Sequence, residues 1–326
     1  MMQVCLYGQG TSQTKDSLQL VFYNVENLFD LDNDSETEDD EFTPAGKRYW
    51  TKKKYERKLN KISQSIFAFS NYKAPEIIGL CEIENKIVLL DLLGVQLFRK
   101  QAYKILHADS RDNRGIDVAL LYDSIKTKPI FVDFIPTQIE NGNFSRDILY
   151  AKMLVKSDTL HLFLNHWPSR YSGARETAHF RLKLAEILIS KCDSILDKDS
   201  QANIILFGDF NDEPNNKSIQ SITAYRLANS DEEVFYNLMI KSKIVLGTIK
   251  FQGIWNMFDQ FIVSSNLKDG HGKFRIRNTS VANDSFLFED DSRYMGLKPY
   301  RTYSGFKYTG GFSDHLPIKL VLEINR

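Results

Sequence analysis

Cysteine is scarce. Cys5, Cys81 and Cys192 are the only three in 326 residues, and they lie far apart. So few and so scattered, they make neither a disulfide framework nor a cysteine-rich metal site, and the redox compartment stays open. A charge surplus is also missing. Lys plus Arg and Asp plus Glu both number 42, so the formal net charge is zero. Proteins that grip long nucleic acid without sequence preference usually carry a basic excess, so phosphate affinity here would need local patches. No apolar run reaches the length of a transmembrane helix, and no membrane span is expected. There is no Walker loop, no GxGxxG and no nucleophile elbow, which argues against several enzyme classes. Met1 to Gly10 is mildly apolar and Thr11 to Ser17 is polar. Residues 1–17 read either as a frayed terminus, with a cytoplasmic protein, or as a signal remnant, with a periplasmic or secreted one. Residues 18–326 read as a single domain, monomeric and without a protein partner.

What is present is a series of apolar strands, each ending in polar residues. Asn203 to Pro214 (NIILFGDFNDEP) shows it best. Ile204 to Phe207 suits a strand buried on both faces, and Gly208 stops the apolar run. Asp209, Asn211, Asp212 and Glu213 crowd at its mouth. Such residues make an ordinary turn, but a buried strand also holds polar groups rigidly at a site. The pattern recurs. Leu18 to Val25 ends at Asn24, Ile77 to Ile83 at Glu82, and Leu160 to Trp167 at Asn165 and His166. Asp259 opens Phe258 to Ser264, and Asp314 with His315 precedes Ile318 to Ile324. Repetition at one strand mouth after another points to a shared site.

Other segments read more plainly. Lys47 to Ser70 is an amphipathic helix whose lysine run (KKKYERK) forms the charged outer face. Ile87 to Arg99 and Arg175 to Leu196 are further helices. Ile130 to Ile135, Tyr150 to Lys156 and Leu160 to Trp167 are strands, the last two spaced as a hairpin. Lys268 to Gly311 reads as long loops with short strands. Asp30 to Glu41 (DLDNDSETEDDE) places acids at the oxygen positions of a twelve-residue calcium loop, though Ser35 stands where that loop wants glycine. A Ca²⁺ site there stands against a solvated acidic loop. His107, His161, His179 and His271 read as satisfied core histidines. Strands apolar on both faces, with helices between, imply an α/β protein of two packed sheets with helices outside.

The donor types narrow the chemistry. Glu82, Asp314 and Asn24 are hard oxygen donors suited to Mg²⁺ or Mn²⁺. No closely spaced Cys or His pair marks a Zn²⁺ site. A carboxylate behind His315 can hold it in one tautomer and protonated, and Asp259 is the candidate for that role. Asp209 and Asn211 can orient and deprotonate a water, and His166 can donate to a phosphate oxygen.

Six segments in order, YNVEN around Asn24, LCEIEN around Glu82, NHWPS around His166, GDFND around Asp209 and Asn211, FDQF around Asp259 and SDHLP around Asp314 and His315, resemble the endonuclease/exonuclease/phosphatase superfamily. They span residues 18–324. The resemblance implies a four-layer α/β/β/α sandwich of two mixed sheets and metal-dependent hydrolysis of phosphate esters. It implies Glu82 as the direct metal ligand with Asn24 and Asp314 close by. Asp209 would orient the water, helped by Asn211, while His315, paired with Asp259, and His166 would stabilise the developing charge. The expected activity is a phosphodiesterase, a nuclease first, with a phosphatase or sphingomyelinase-like lipid phosphodiesterase as the alternative and a silent binding module as the remote one. Asp212 and Glu213 stand where the inositol polyphosphate 5-phosphatases have an aromatic and an Arg, and FDQF lacks their Asp-Arg, which disfavours inositol phosphates. Arg170, Arg175, Arg301 and Lys307 are candidate substrate contacts, the last two in Tyr294 to Tyr308 (YMGLKPYRTYSGFKY), and ordinary surface is the alternative for each.

Overall fold

The computed structural model describes residues 16–140, 143–171, 173–227, 231–240 and 247–325. Most of residues 1–17 thus lie outside the described residues. In chain order the strands are β1 (Ser17–Leu28), β2 (Ile77–Ile83), β3 (Tyr103–His107), β4 (Asp117–Asp123), β5 (Thr127–Glu140), β6 (Asn143–Val155), β7 (Asp158–His166), β8 (Ile204–Asp209) and β9 (Phe235–Asn237). After them come β10 (Ile249–Phe251), β11 (Ile254–Asn256), β12 (Asp259–Ser264), β13 (Phe274–Val281), β14 (Phe288–Asp290), β15 (Leu297–Pro299), β16 (Tyr303–Ser304), β17 (Lys307–Tyr308) and β18 (Ile318–Ile324). The helices are α1 (Lys52–Phe69), α2 (Lys86–Gly94), α3 (Ala178–Leu196), α4 (Lys217–Thr223) and α5 (Ser265–Asp269).

Two six-stranded sheets form, ordered β13-β18-β1-β2-β4-β3 and β5-β6-β7-β8-β12-β9. β1 runs parallel to β2 and β7 parallel to β8, and the other pairs are antiparallel. The inner faces meet in one apolar core that includes Leu20, Phe22, Leu120, Leu162 and Phe207. Phe22 and Phe207 touch edge to face across it, with ring centroids 6.3 Å apart. Gly79 allows this approach, since a Cβ there would lie 2.5 Å from Phe207 Cε2. Outside, Leu59, Ile62 and Ile66 of α1 and Leu89 of α2 cover the first sheet. Leu184, Leu188 and Ile219 of α3 and α4 cover the second. Apolar side chains on both strand faces therefore demand four layers, α/β/β/α.

Several elements differ from expectation. The second helix stops at Gly94 rather than Arg99, and the third starts at Ala178 rather than Arg175. β5 and β6 are far longer than the core of apolar residues suggests, because register shifts let the pair continue past it. β13 lies in the segment read as long loops with short strands, and at eight residues it is a full edge strand with its arginines turned to solvent. The acidic residues 30–41 do not close as a twelve-residue calcium loop. Glu41, the twelfth position, pairs with Arg48 at 3.1 Å.

Candidate active site

The strand mouths meet at one end of the sandwich. On adjacent strands the register sets His166 of β7 beside Asp209 of β8, and Asp259 of β12 beside the same Asp209. Gly208 makes this possible. It has φ +137°, and a Cβ there would sit 2.0 Å from the Asn165 carbonyl oxygen. Only glycine fits so close to the neighbouring backbone. On the facing sheet, a register shift at Cys81/Ile83 lifts Glu82 out of the ladder with φ +62°. Such a bulge re-aims a side chain. Glu26, Asn27 and Asn211 also adopt left-handed backbone. Non-glycine residues held this way concentrate at functional sites.

The Asn24 amide joins the sheets, donating from Nδ2 to Glu82 Oε1 at 3.2 Å and to Asp209 Oδ2 at 3.1 Å. Asn24 Oδ1 accepts from the Glu26 N–H, and Glu82 Oε2 accepts from the Asn27 N–H at 2.8 Å. Asp209 Oδ1 accepts from the Asn211 N–H at 2.9 Å, while the Asn211 side chain donates to the Trp167 carbonyl. His315 Nδ1 donates to Asp259 Oδ2 at 2.7 Å, and its Nε2 lies 3.8 Å from Asp209 Oδ2. His166 Nε2 lies 3.8 Å from the same oxygen and 4.0 Å from Glu82 Oε1.

The electrostatics split the histidines. Burial alone would depress His315, but Asp259 and Asp209 outweigh it and hold the imidazole well above its usual pKa, so it is charged. His166 is pushed well below, by burial and by Arg146, Arg114 and His315, so it is neutral. Burial raises the Asp209 carboxyl to about 7, with Asp259 adding and His315 opposing. His166 Nδ1 and Asp259 Oδ1 are buried without a partner. Burial raises Asp314 too, but Arg301, His315 and Lys58 prevail and lower it.

Asn24, Glu82, His166, Asp209, Asn211, Asp259 and His315 thus converge. Asp314 joins them through Arg301, whose Nη2 donates to Asp314 Oδ2 at 2.8 Å and whose Nε donates to Glu26 at 3.2 Å. Arg170 is largely committed within the protein. Its Nε and Nη2 are spent on the Asn211 carbonyl, Asp212 and Asn216, so it braces the GDFND turn. Arg175 and Lys307 are exposed in a turn and in β17. The donor set fits a hard divalent cation. The Glu82 and Asp209 carboxylates converge on the Asn24 amide, and the Asp314 carboxylate, next to His315 in the chain, pairs with Arg301. Cys81, His166 and Asp209 also place one donor atom each within 4.8 Å. Burial, however, holds the Cys81 thiol protonated, which does not suit a soft-metal ligand.

Sequence reading missed Glu26, Lys58 and Arg146. Lys58 is 1% exposed. It donates to Thr302 Oγ1 at 2.5 Å and to the Phe312 carbonyl at 2.8 Å, and lies 4.0 Å from Glu26. The signal was there: Lys58 sits four residues before Ile62, on the apolar stripe of α1. Arg146 donates to the Trp167 carbonyl beside Asn211, and no pattern in β6 marks it.

No curated protein sequence matches the chain. Solved structures do. A humanised D. rerio TDP2 carrying 14 mutations aligns over 94% of this chain and 99% of its own, with 14% identity and a TM-score of 0.57. D. rerio TDP2 complexed with single strand DNA product gives 13% identity, the same two coverages and 0.58. A mannosyl-6-phosphatase of Bacteroides thetaiotaomicron VPI-5482 gives 16% identity, again 94% and 99%, and 0.59. These likenesses establish the fold. The sequence profile of the endonuclease/exonuclease/phosphatase family matches residues 19–324, almost the whole chain, and this protein belongs to that family.

Proposed function

We propose that this protein is a divalent-metal-dependent phosphodiesterase, with nucleic acid as the first substrate to test. One observation carries the reading: Asp209 stands within 3.8 Å of two histidines of opposite character, charged His315 and neutral His166, and shares the Asn24 amide with Glu82. Ester hydrolysis needs a water made nucleophilic and developing charge neutralised. Asp209, with its carboxyl at about 7, can accept the water's proton near neutral pH, and the Asn211 N–H fixes its orientation. His315 offers an Nε2–H to a phosphoryl oxygen while Asp259 accepts from Nδ1. His166 supplies a second, uncharged contact. Glu82, Asp314 and Asn24 would hold Mg²⁺ or Mn²⁺, which supplies Lewis-acid polarisation of the phosphoryl oxygen and relief of leaving-group charge. Arg301 is the one candidate substrate arginine beside Asp314.

A second reading is a small phosphate ester, a monoester or lipid headgroup. It is favoured by a cavity of about 130 Å³ beside the site, lined by Glu26, Asn27, Arg48, Trp50, Arg301 and Tyr303. That space suits one compact group. Of the fold relatives named above, one is complexed with single strand DNA product and another is a mannosyl-6-phosphatase. The test is hydrolysis of plasmid DNA, single-stranded DNA, bis-p-nitrophenyl phosphate and p-nitrophenyl phosphate with Mg²⁺, Mn²⁺ or chelator, beside His315→Ala. Metal-dependent DNA cleavage that falls steeply with salt and is lost in the variant supports the nuclease. Turnover of small esters alone moves the assignment to the second reading. Activity equal in wild type and His315→Ala would show that the site is misplaced.

A further inference from the structure

The residues after β1 do something other than form a calcium loop of the helix-loop-helix kind. Asp30 Oδ1 accepts from the Asp32 N–H, and Asp34 Oδ1 accepts from the Glu36 N–H. The fold then brings this stretch against two others, the residues after β2 and the turn between β3 and β4. Between them lies a cavity of about 200 Å³ walled by six carboxylates: Asp30, Asp32, Asp34, Glu84, Asp109 and Asp117. Among the described residues, no lysine or arginine lies within ion-pair distance of any of the six.

Beside it, two buried side chains each have one polar atom without a partner. Asp39 is 1% exposed. Its Oδ2 accepts from the Asp34 N–H at 2.9 Å, its Oδ1 has no partner, and it lies close enough to Glu84 for its charge to act there. The His107 side chain is 2% exposed, and its Nε2 has no partner. One His107 ring nitrogen and one oxygen each from Asp109 and Asp117 lie within 4.8 Å of one another. The Thr37 hydroxyl, also on the cavity wall, is buried and unpartnered too. Uncompensated buried acceptors and crowded like charges are costly, and a cation relieves both.

We propose that this cavity is a calcium site, separate from the hydrolytic centre. The donors are nearly all oxygens, numerous and irregularly placed, as Ca²⁺ tolerates and Mg²⁺ does not. Its occupant ties three segments together behind Glu82. The link is short: Glu84 Oε2 accepts from the Asp30 N–H at 2.6 Å, and the Asn85 amide donates to Asp30 at 2.9 Å. The site stands whichever ester the enzyme cleaves.

Terbium luminescence in the full chain, freed of metal with chelator, tests it. Trp50, whose indole N–H donates to the Phe29 carbonyl next to Asp30, is the antenna. A saturable signal is expected in wild type and in Glu82→Gln, displaced by Ca²⁺ but not by equal Mg²⁺. Asp39→Asn and Glu84→Gln should weaken binding about tenfold or more, because ligand charge tunes affinity, and should abolish the Ca²⁺-dependent rise in Tm. If those variants fail to fold, Asp32→Asn, which alters an exposed residue, serves instead. Equal affinity in wild type and the variants, loss of the signal in Glu82→Gln, or no terbium binding with no Ca²⁺-dependent rise in Tm would each overturn the assignment.

Discussion

His315 Nδ1 and Asp259 Oδ2 lie 2.7 Å apart, although 56 positions separate them in the chain. The pair spans the two sheets, since Asp259 begins β12 of the second and His315 precedes β18 of the first. His315→Ala should lower kcat by about 10²–10³, the usual loss for one preorganised donor. Asp259→Asn removes the charge that raises the imidazole, so His315 should lose its proton at lower pH. The alkaline limb of the kcat/KM profile should then move to lower pH. An unshifted limb would mean that Asp259 does not set the protonation of His315.

Asp209 gives a stability signature. Its folded carboxyl is raised from 3.8 to about 7. The unfolded chain therefore releases this proton first as pH rises. The stability carried by the protonated form is complete below about pH 4 and is lost as pH climbs through 7. In chelator, wild type should lose stability over that window relative to Asp209→Asn. Denaturant midpoints measured at pH 4.5 and 7.5 check this, and parallel curves would contradict it.

Gly208→Ala tests the strand register. The added methyl meets the Asn165 carbonyl at 2.0 Å with φ at +137°. A loss of about 2–3 kcal/mol is expected from the strained backbone. Turnover should fall as well, because His166 and Asp209 are neighbours through this pair of strands. Chemical denaturation and the ester assay together read both effects.

Lys58 and Glu26 form a buried ion pair under Arg301. Burial lowers Lys58 to about 8, against the pull of Glu26 and Asp314, and raises the Glu26 carboxyl. Lys58→Met leaves Arg301 and the Thr302 N–H as that carboxylate's partners and should cost about 1–3 kcal/mol. Lys58→Met with Glu26→Gln should recover much of the loss. A double variant as unstable as the single one would show that the lysine's bonds to Thr302 and Phe312 matter more than its charge.

Arg170→Ala should behave as a stability variant, since its guanidinium holds Asp212, Asn216 and the Asn211 carbonyl. Arg301→Ala should chiefly raise KM. Arg175→Ala and Lys307→Ala, both at exposed positions, should change stability by no more than about 0.5 kcal/mol. A matrix of Tm and KM for the four variants separates these roles.

The strands whose two faces are both apolar were legible, because burial on both sides leaves a continuous run such as Ile204 to Phe207. Their polar ends were legible for the same reason, as Asn24, Glu82, His166 and Asp209 interrupt such runs. The full length of β13 was not, because an edge strand with Arg275 and Arg277 facing solvent has no continuous apolar run to set it apart from the short strands expected in that segment. Lys58 was misjudged because charge was weighed above position, although its place on α1 pointed inward.

Apolar pattern and motif order along the chain were enough to determine the layered α/β fold and the family, since both depend on local periodicity and on residues a few positions apart. Tertiary structure alone decided which charges meet. It turned Arg170 into a brace, set Arg301 between Glu26 and Asp314, left one histidine charged and the other neutral, and gathered six carboxylates from three segments around one cavity. Those outcomes depend on distance and burial between residues far apart in sequence, and no local pattern encodes either.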